Sequence, residues 1–126
     1  MKTQKLVSRI SFVLIATSLL LSSIAWAGAG GNPEPVTVKD GSAAFGTLLG
    51  ARKGAGEQYI GCSHFGHFAI CGARDAEGNT VTCRTSKEDH LEALKAMTSY
   101  GRLSFAANEQ GDCTLMVAES SSAFLP

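Results

Sequence analysis

No G-x-S-x-G pentapeptide and no G-x-x-x-x-G-K-[ST] loop occur in the 126 residues, so the chain has neither the nucleophile elbow of an α/β-hydrolase nor a P-loop. The glycine-rich fragment "GAGEQY" at 54–59 lacks the third glycine of a dinucleotide loop and reads as a hairpin turn. Positive charge is not in excess either. The 11 basic and 11 acidic residues balance, and three basic ones, Lys2, Lys5 and Arg9, precede residue 28. The remainder has eight basic against eleven acidic residues, a net charge of −3, with Arg52 and Lys53 as its one local basic cluster. Nucleic acid is therefore not an expected partner, because no basic footprint is present. There is also no internal repeat and no long low-complexity run.

What is present starts with an address. Lys2, Lys5 and Arg9 lead into an uncharged, mostly apolar run of 18 residues from Ile10 to Ala27, closed by Ala25-Trp26-Ala27. This is the form of a bacterial secretory signal peptide over residues 1–27. The run reaches only the lower limit for a retained spanning helix, and four serines and a threonine interrupt it. No cysteine follows to carry a lipid. The expectation is export to the periplasm or exterior, with no stable membrane insertion once the signal is removed.

The 99 residues of 28–126 suffice for one domain. A chain of that size buries roughly 60 to 70% of its unfolded surface, so covalent staples help. All four cysteines, Cys62, Cys71, Cys83 and Cys113, lie in this part, and an even count in a small exported domain makes disulfides the default. The stretch 28–42, rich in glycine and proline, is expected to be a flexible leader with at most a short strand at Val36 to Val38. The stapled β domain is expected to occupy 43–126.

Short strand patterns separated by turn residues then point to an antiparallel meander. Its strands are "AFGTLLGAR", "QYIGCSH", "HFAICGAR" and "TVTCRT", with Gly78 of "DAEGN" suited to a left-handed turn position. "TSKEDHLEALKAMTSYG" predicts an amphipathic helix of about three turns, capped by Ser86, presenting Leu91, Leu94 and Met97 or Thr98, and ending at Gly101. His90 is expected as a partly packed surface residue of its first turn. "RLSFAA" and "CTLMVAES" form a last hairpin, with Leu103 and Phe105, and Cys113, Leu115 and Val117, expected inward. The fold class is mainly β (α+β): a small antiparallel sheet or partly closed barrel with one packed helix, its element order loosely that of an OB-fold.

The segment "CSHFGHFAIC" carries the one cluster with two chemical readings. A two-residue loop at Phe65-Gly66 would set His64 opposite His67 and gather Cys62, His64 and His67, with Cys71 as a fourth candidate metal ligand. A four-residue loop would instead set Cys62 opposite Cys71, in reach of a bridge. The spacing C-x-H-x2-H-x3-C departs from common zinc patterns, and an oxidising compartment favours the bridge. Two pairings compete: Cys62–Cys71 with Cys83–Cys113, the preferred one, or Cys71–Cys83 with Cys62–Cys113, which a three-residue bulged turn at Ala76 to Gly78 would favour.

The segments "YIGC", "AICGARDAEGNTVTC", "YGRLSFAANEQGDC" and "SSSAFLP" resemble those of small exported bacterial proteins with four cysteines, over roughly residues 44–126. The resemblance implies a common disulfide-stapled domain and transfers no catalytic residue. The expected function is a non-enzymatic secreted or periplasmic module, with no cofactor, that binds a protein, glycan or envelope component. Tyr59, Phe65 and Phe68 are its candidate contact residues, as aromatics expected to flank a hairpin turn. The alternative is a small metal-binding or hydrolytic protein built on Cys62, His64 and His67.

Overall fold

The computed structural model describes residues 33–124; the expected signal segment lies outside the described residues. The element order is β1 (Thr37–Lys39), β2 (Ala43–Thr47), α1 (Leu48–Lys53), β3 (Tyr59–His64), β4 (Ala69–Arg74), β5 (Thr80–Thr85), α2 (Glu88–Lys95), β6 (Arg102–Ala107), β7 (Cys113–Glu119) and a 3₁₀ turn (Ser122–Phe124). The strands form two antiparallel sheets, one of four strands ordered β1-β2-β6-β7 and one of three ordered β3-β4-β5. The architecture is mostly β, with α2 between the meander and the final hairpin. Among the described residues the sheets do not close into a barrel. No helix among them is long and apolar enough to cross a membrane.

The expected four-stranded meander has three strands. "AFGTLLGAR" divides at Thr47, whose hydroxyl accepts the Gly50 N–H at 2.9 Å and caps α1, so the chain turns from strand to helix there. β2 pairs with β1 and β6 instead of β3. The two sheets meet through their apolar faces. Ile60, Cys71, Ala73, Val81 and Cys83 come from one side, and Val38, Ala44, Leu103, Phe105 and Met116 from the other. At one point the sheets also touch edge to edge, where the Arg84 N–H donates to the Gly111 carbonyl at 2.8 Å.

Ordered structure reaches back beyond Ala43, where the domain was expected to start. Val36 and Val38 are buried in the core. The Glu34 carbonyl accepts both the Thr47 N–H and the Thr47 hydroxyl at 3.1 Å, and its carboxylate pairs with Arg102. The Val36 N–H donates to Gln58 Oε1 at 3.0 Å. Composition marks 28–42 as a leader, yet its two valines at alternate positions suffice for a short edge strand. Gly50 fits this anchor closely: a Cβ there would lie 1.8 Å from the Glu34 carbonyl oxygen.

α2 is shorter than its pattern, ending at Lys95 rather than near Gly101, and its N-cap is Lys87, without a side-chain cap, rather than Ser86. Thr85 supplies the connection instead. Its oxygen accepts the Lys87 N–H at 3.3 Å and lies 2.8 Å from His90 Nδ1. His90 is thus buried rather than at the surface, as a polar link between β5 and α2.

Both long hairpin turns share one geometry. In 75–79 and in 108–112 the first residue's N–H donates to the last residue's carbonyl at 3.0 Å. A glycine with positive φ sits fourth, Gly78 at 90° and Gly111 at 81°. The first side chain, Asp75 or Asn108, accepts the last residue's N–H at 2.9 Å. The Asp75 carboxylate also accepts from Asn79 Nδ2 at 3.0 Å and from the Glu77 N–H at 3.1 Å. These bonds, the Asn79 side chain first, hold its pKa below the ordinary 3.8. A depressed folded-state pKa contributes stability that is present above 3.8 and lost as pH falls through the lower folded value. We expect Asp75→Asn to destabilise at neutral pH, since its amide would oppose the Asn79 amide. The variant should also flatten the acid limb of stability against pH, which denaturant melts across pH 2 to 7 would read.

Candidate binding face

Strand alternation decides which side of the three-stranded sheet meets solvent. Ile60, Cys71, Ala73, Val81 and Cys83 point into the core, so their neighbours in sequence face outward. The register places these outward residues in cross-strand rows. Tyr59, Arg74 and Thr80 form the first, Gly61, Gly72 and Thr82 the second, and Ser63, Ile70 and Arg84 the third. The middle row has almost no side-chain height, so a shallow trough of about 390 Å³ lies between Tyr59 and Ile70.

Above the third row the β3–β4 hairpin turns through Phe65, Gly66, His67 and Phe68. Phe65 donates its N–H to the Phe68 carbonyl at 2.8 Å, and Gly66 takes φ of 83°, open to glycine at no steric cost. The Phe65 and Phe68 rings stack at 4.9 Å, His67 meets Phe68 edge-on at 5.3 Å, and the Arg84 guanidinium lies 4.1 Å over the Phe68 ring. Tyr59 and Phe65 are 50% and 52% exposed, and Phe68 is half-buried. The three aromatics share one face without clustering at the turn. Tyr59 opens β3, at the end opposite Phe65, about 20 Å away at ~3.3 Å per residue.

The turn is the four-residue one. His64 therefore faces Ala69, and Cys62 faces Cys71. Disulfides join Cys62 to Cys71, with Cα atoms 4.0 Å apart, and Cys83 to Cys113, 5.0 Å apart; no cysteine is free. The register also sets Cys71 opposite Cys83, the geometry of the rival pairing, but the Cys83 sulfur bonds across to the other sheet. The candidate ligands Cys62, His64, His67 and Cys71 are not brought together. Two are bridged, His64 Nδ1 accepts the Gly66 N–H at 3.2 Å, and His67 packs on Phe68. Among the described residues no three His, Cys, Asp or Glu side chains form a group suited to a metal ion.

Sequence reasoning puts Gly61 on the Tyr59 side of its strand but missed Gly72, Ile70 and Arg84 as parts of this face. Two glycines inside strand patterns were the available sign, since strand glycine often marks close approach by another group. Comparison with protein-family models, curated proteins and solved structures returns no match.

Proposed function

We propose that the protein is an exported, non-enzymatic binding module, working in the periplasm or outside the cell, and that the outer face of β3-β4-β5 with its aromatic turn is its contact surface. One observation carries this reading: Tyr59 and Phe65, large aromatics that a small core would otherwise absorb, are each at least half exposed on one face, and Phe65 is held in a stack beneath which Arg84 is ordered. Aromatic and arginine side chains fixed before contact lose little entropy on binding and are frequent interface anchors. The partner is a protein, glycan or other envelope component.

Phe65→Ser tests the surface. We expect it to change stability by about 1 kcal/mol or less, the scale of one aromatic pair, and to weaken capture of envelope components about tenfold, as loss of a modest interface anchor does. A large fall in the melting temperature would instead mean that Phe65 supports the fold. Export has its own check, motivated by Ala25-Trp26-Ala27 after the apolar run. The intact mass of the exported protein should correspond to a chain beginning at Gly28, and recovery of residues 1–27 in a membrane fraction would contradict both cleavage and location.

A further inference from the structure

We propose that the trough between Tyr59 and Ile70 binds an acidic oligosaccharide, its sugar rings lying over Gly61 and Gly72 and its carboxylates meeting Arg74 and Arg84. This rests on the binding-module reading above and names the ligand class. The first support is the pair of glycines, which face each other across β3 and β4. Neither has positive φ. A Cβ at Gly61 would meet nothing, and one at Gly72 would make an ordinary 3.5 Å contact with the Tyr59 ring. Neither backbone conformation nor packing demands glycine at these positions, where it weakens a strand. A low floor open to close approach from outside accounts for both, bare at Gly61 and flanked by the Tyr59 ring at Gly72.

Charge gives the second support. β3, β4 and β5 contain no aspartate or glutamate, although the chain beyond residue 27 has eleven acidic residues to eight basic. Their outer face carries Arg74 and Arg84, which stand beyond the two ends of the trough and do not line it, the Arg84 guanidinium resting on the Phe68 ring. Among the described residues Arg84 makes no ion pair, and Arg74 has only the exposed Glu57 at 3.8 Å. Guanidinium groups match carboxylates in a planar, two-point fashion. The two arginines stand four positions apart along the strands, about 13 Å at ~3.3 Å per residue, so a chain of several sugars spans them.

The third support separates a sugar from an acidic peptide. β4 is paired along its whole length on both sides, so the centre of the floor has no main-chain groups left for a peptide backbone, and among the described residues the outer edge of β3 is unpaired. The trough has instead an aromatic ring beside the floor and the hydroxyls of Ser63 and Thr82. Such a surface suits a ligand with apolar ring faces and a polar rim.

Calorimetry of the exported protein with tetragalacturonate, uncharged maltotetraose and tetraglutamate tests the proposal. We expect tetragalacturonate to bind at least tenfold more tightly than either control. Gly61→Val should weaken it at least tenfold while the melting temperature stays the same or rises, because the added side chain fills the trough and favours the strand. Arg84→Gln should weaken it to a similar degree. No saturable binding of tetragalacturonate, equal binding of maltotetraose or tetraglutamate, or full affinity in folded Gly61→Val would each overturn the proposal. If tetragalacturonate fails while envelope capture still depends on Phe65, the ligand class alone falls. If the unaltered protein captures nothing, the binding-module reading falls as well.

Discussion

Cys83→Ser is expected to lower the unfolding free energy by about 2 to 5 kcal/mol, the usual consequence of losing a native bridge from a small secreted domain. Both sulfurs of the Cys83–Cys113 bridge sit in the core, each residue 2% exposed, and the bond ties the three-stranded sheet to the four-stranded one. Its removal frees a loop of 30 residues in the unfolded chain and leaves a hydroxyl and a thiol buried in apolar surroundings. Cys62→Ser should cost less. That bridge spans only 9 residues within one hairpin, and the difference in loop closure alone is about 1 kcal/mol. His64→Ala and His67→Ala, at exposed positions of the turn, should stay within about 0.5 kcal/mol of the parent. Thermal melts of the four variants rank them. A histidine variant melting as low as Cys83→Ser would mean that its imidazole holds the fold together, which would revive the ligand role for these residues.

The parts of the fold visible in the sequence are those set by neighbours along the chain. The turn at Gly78 and the strands around it follow from local chemistry. The Cys62–Cys71 bridge needs only the length of one hairpin loop. What was not visible depends on distant partners. The short strand at Val36 to Val38 was legible from its alternating valines, but not that this segment is anchored in the domain, because the groups that fix it, Thr47 and Arg102, stand 13 and 68 residues from Glu34. "AFGTLLGAR" read as one strand because a threonine that caps a helix has the same side chain as one that continues a strand. The candidate face was half visible. Exposed aromatics near a turn can be named from the sequence, but the trough exists only once three strands are in register and Gly61 faces Gly72.

The last hairpin gives the clearest case, and it yields the other large expected effect. Simple alternation from Cys113 puts Leu115 and Val117 inward, yet they are 51% and 37% exposed, while Met116 is buried at 8%. The register accounts for this: Ala106 faces Leu115 but Ala107 faces Cys113, so Thr114 is an extra residue on β7. One inserted residue reverses the face of every side chain beyond it. Met116 consequently lies opposite Phe105 in the core, and Phe105 lies between Met116 and Ala44 on the neighbouring strands. Phe105 is 1% exposed, and its truncation removes a ring from the meeting of the two sheets. Phe105→Ala should therefore cost about 3 to 5 kcal/mol, a fall in melting temperature of at least about 12 °C for a domain of this length. Leu115→Ser should change stability by no more than about 0.5 kcal/mol, although alternation alone would rank it with Phe105. Denaturant melts of Phe105→Ala, Met116→Ala and Leu115→Ser measure the register directly. If Leu115→Ser fell with Phe105→Ala while Met116→Ala stayed near the parent, β7 would run without the bulge at Thr114, and its apolar face would be turned toward the core.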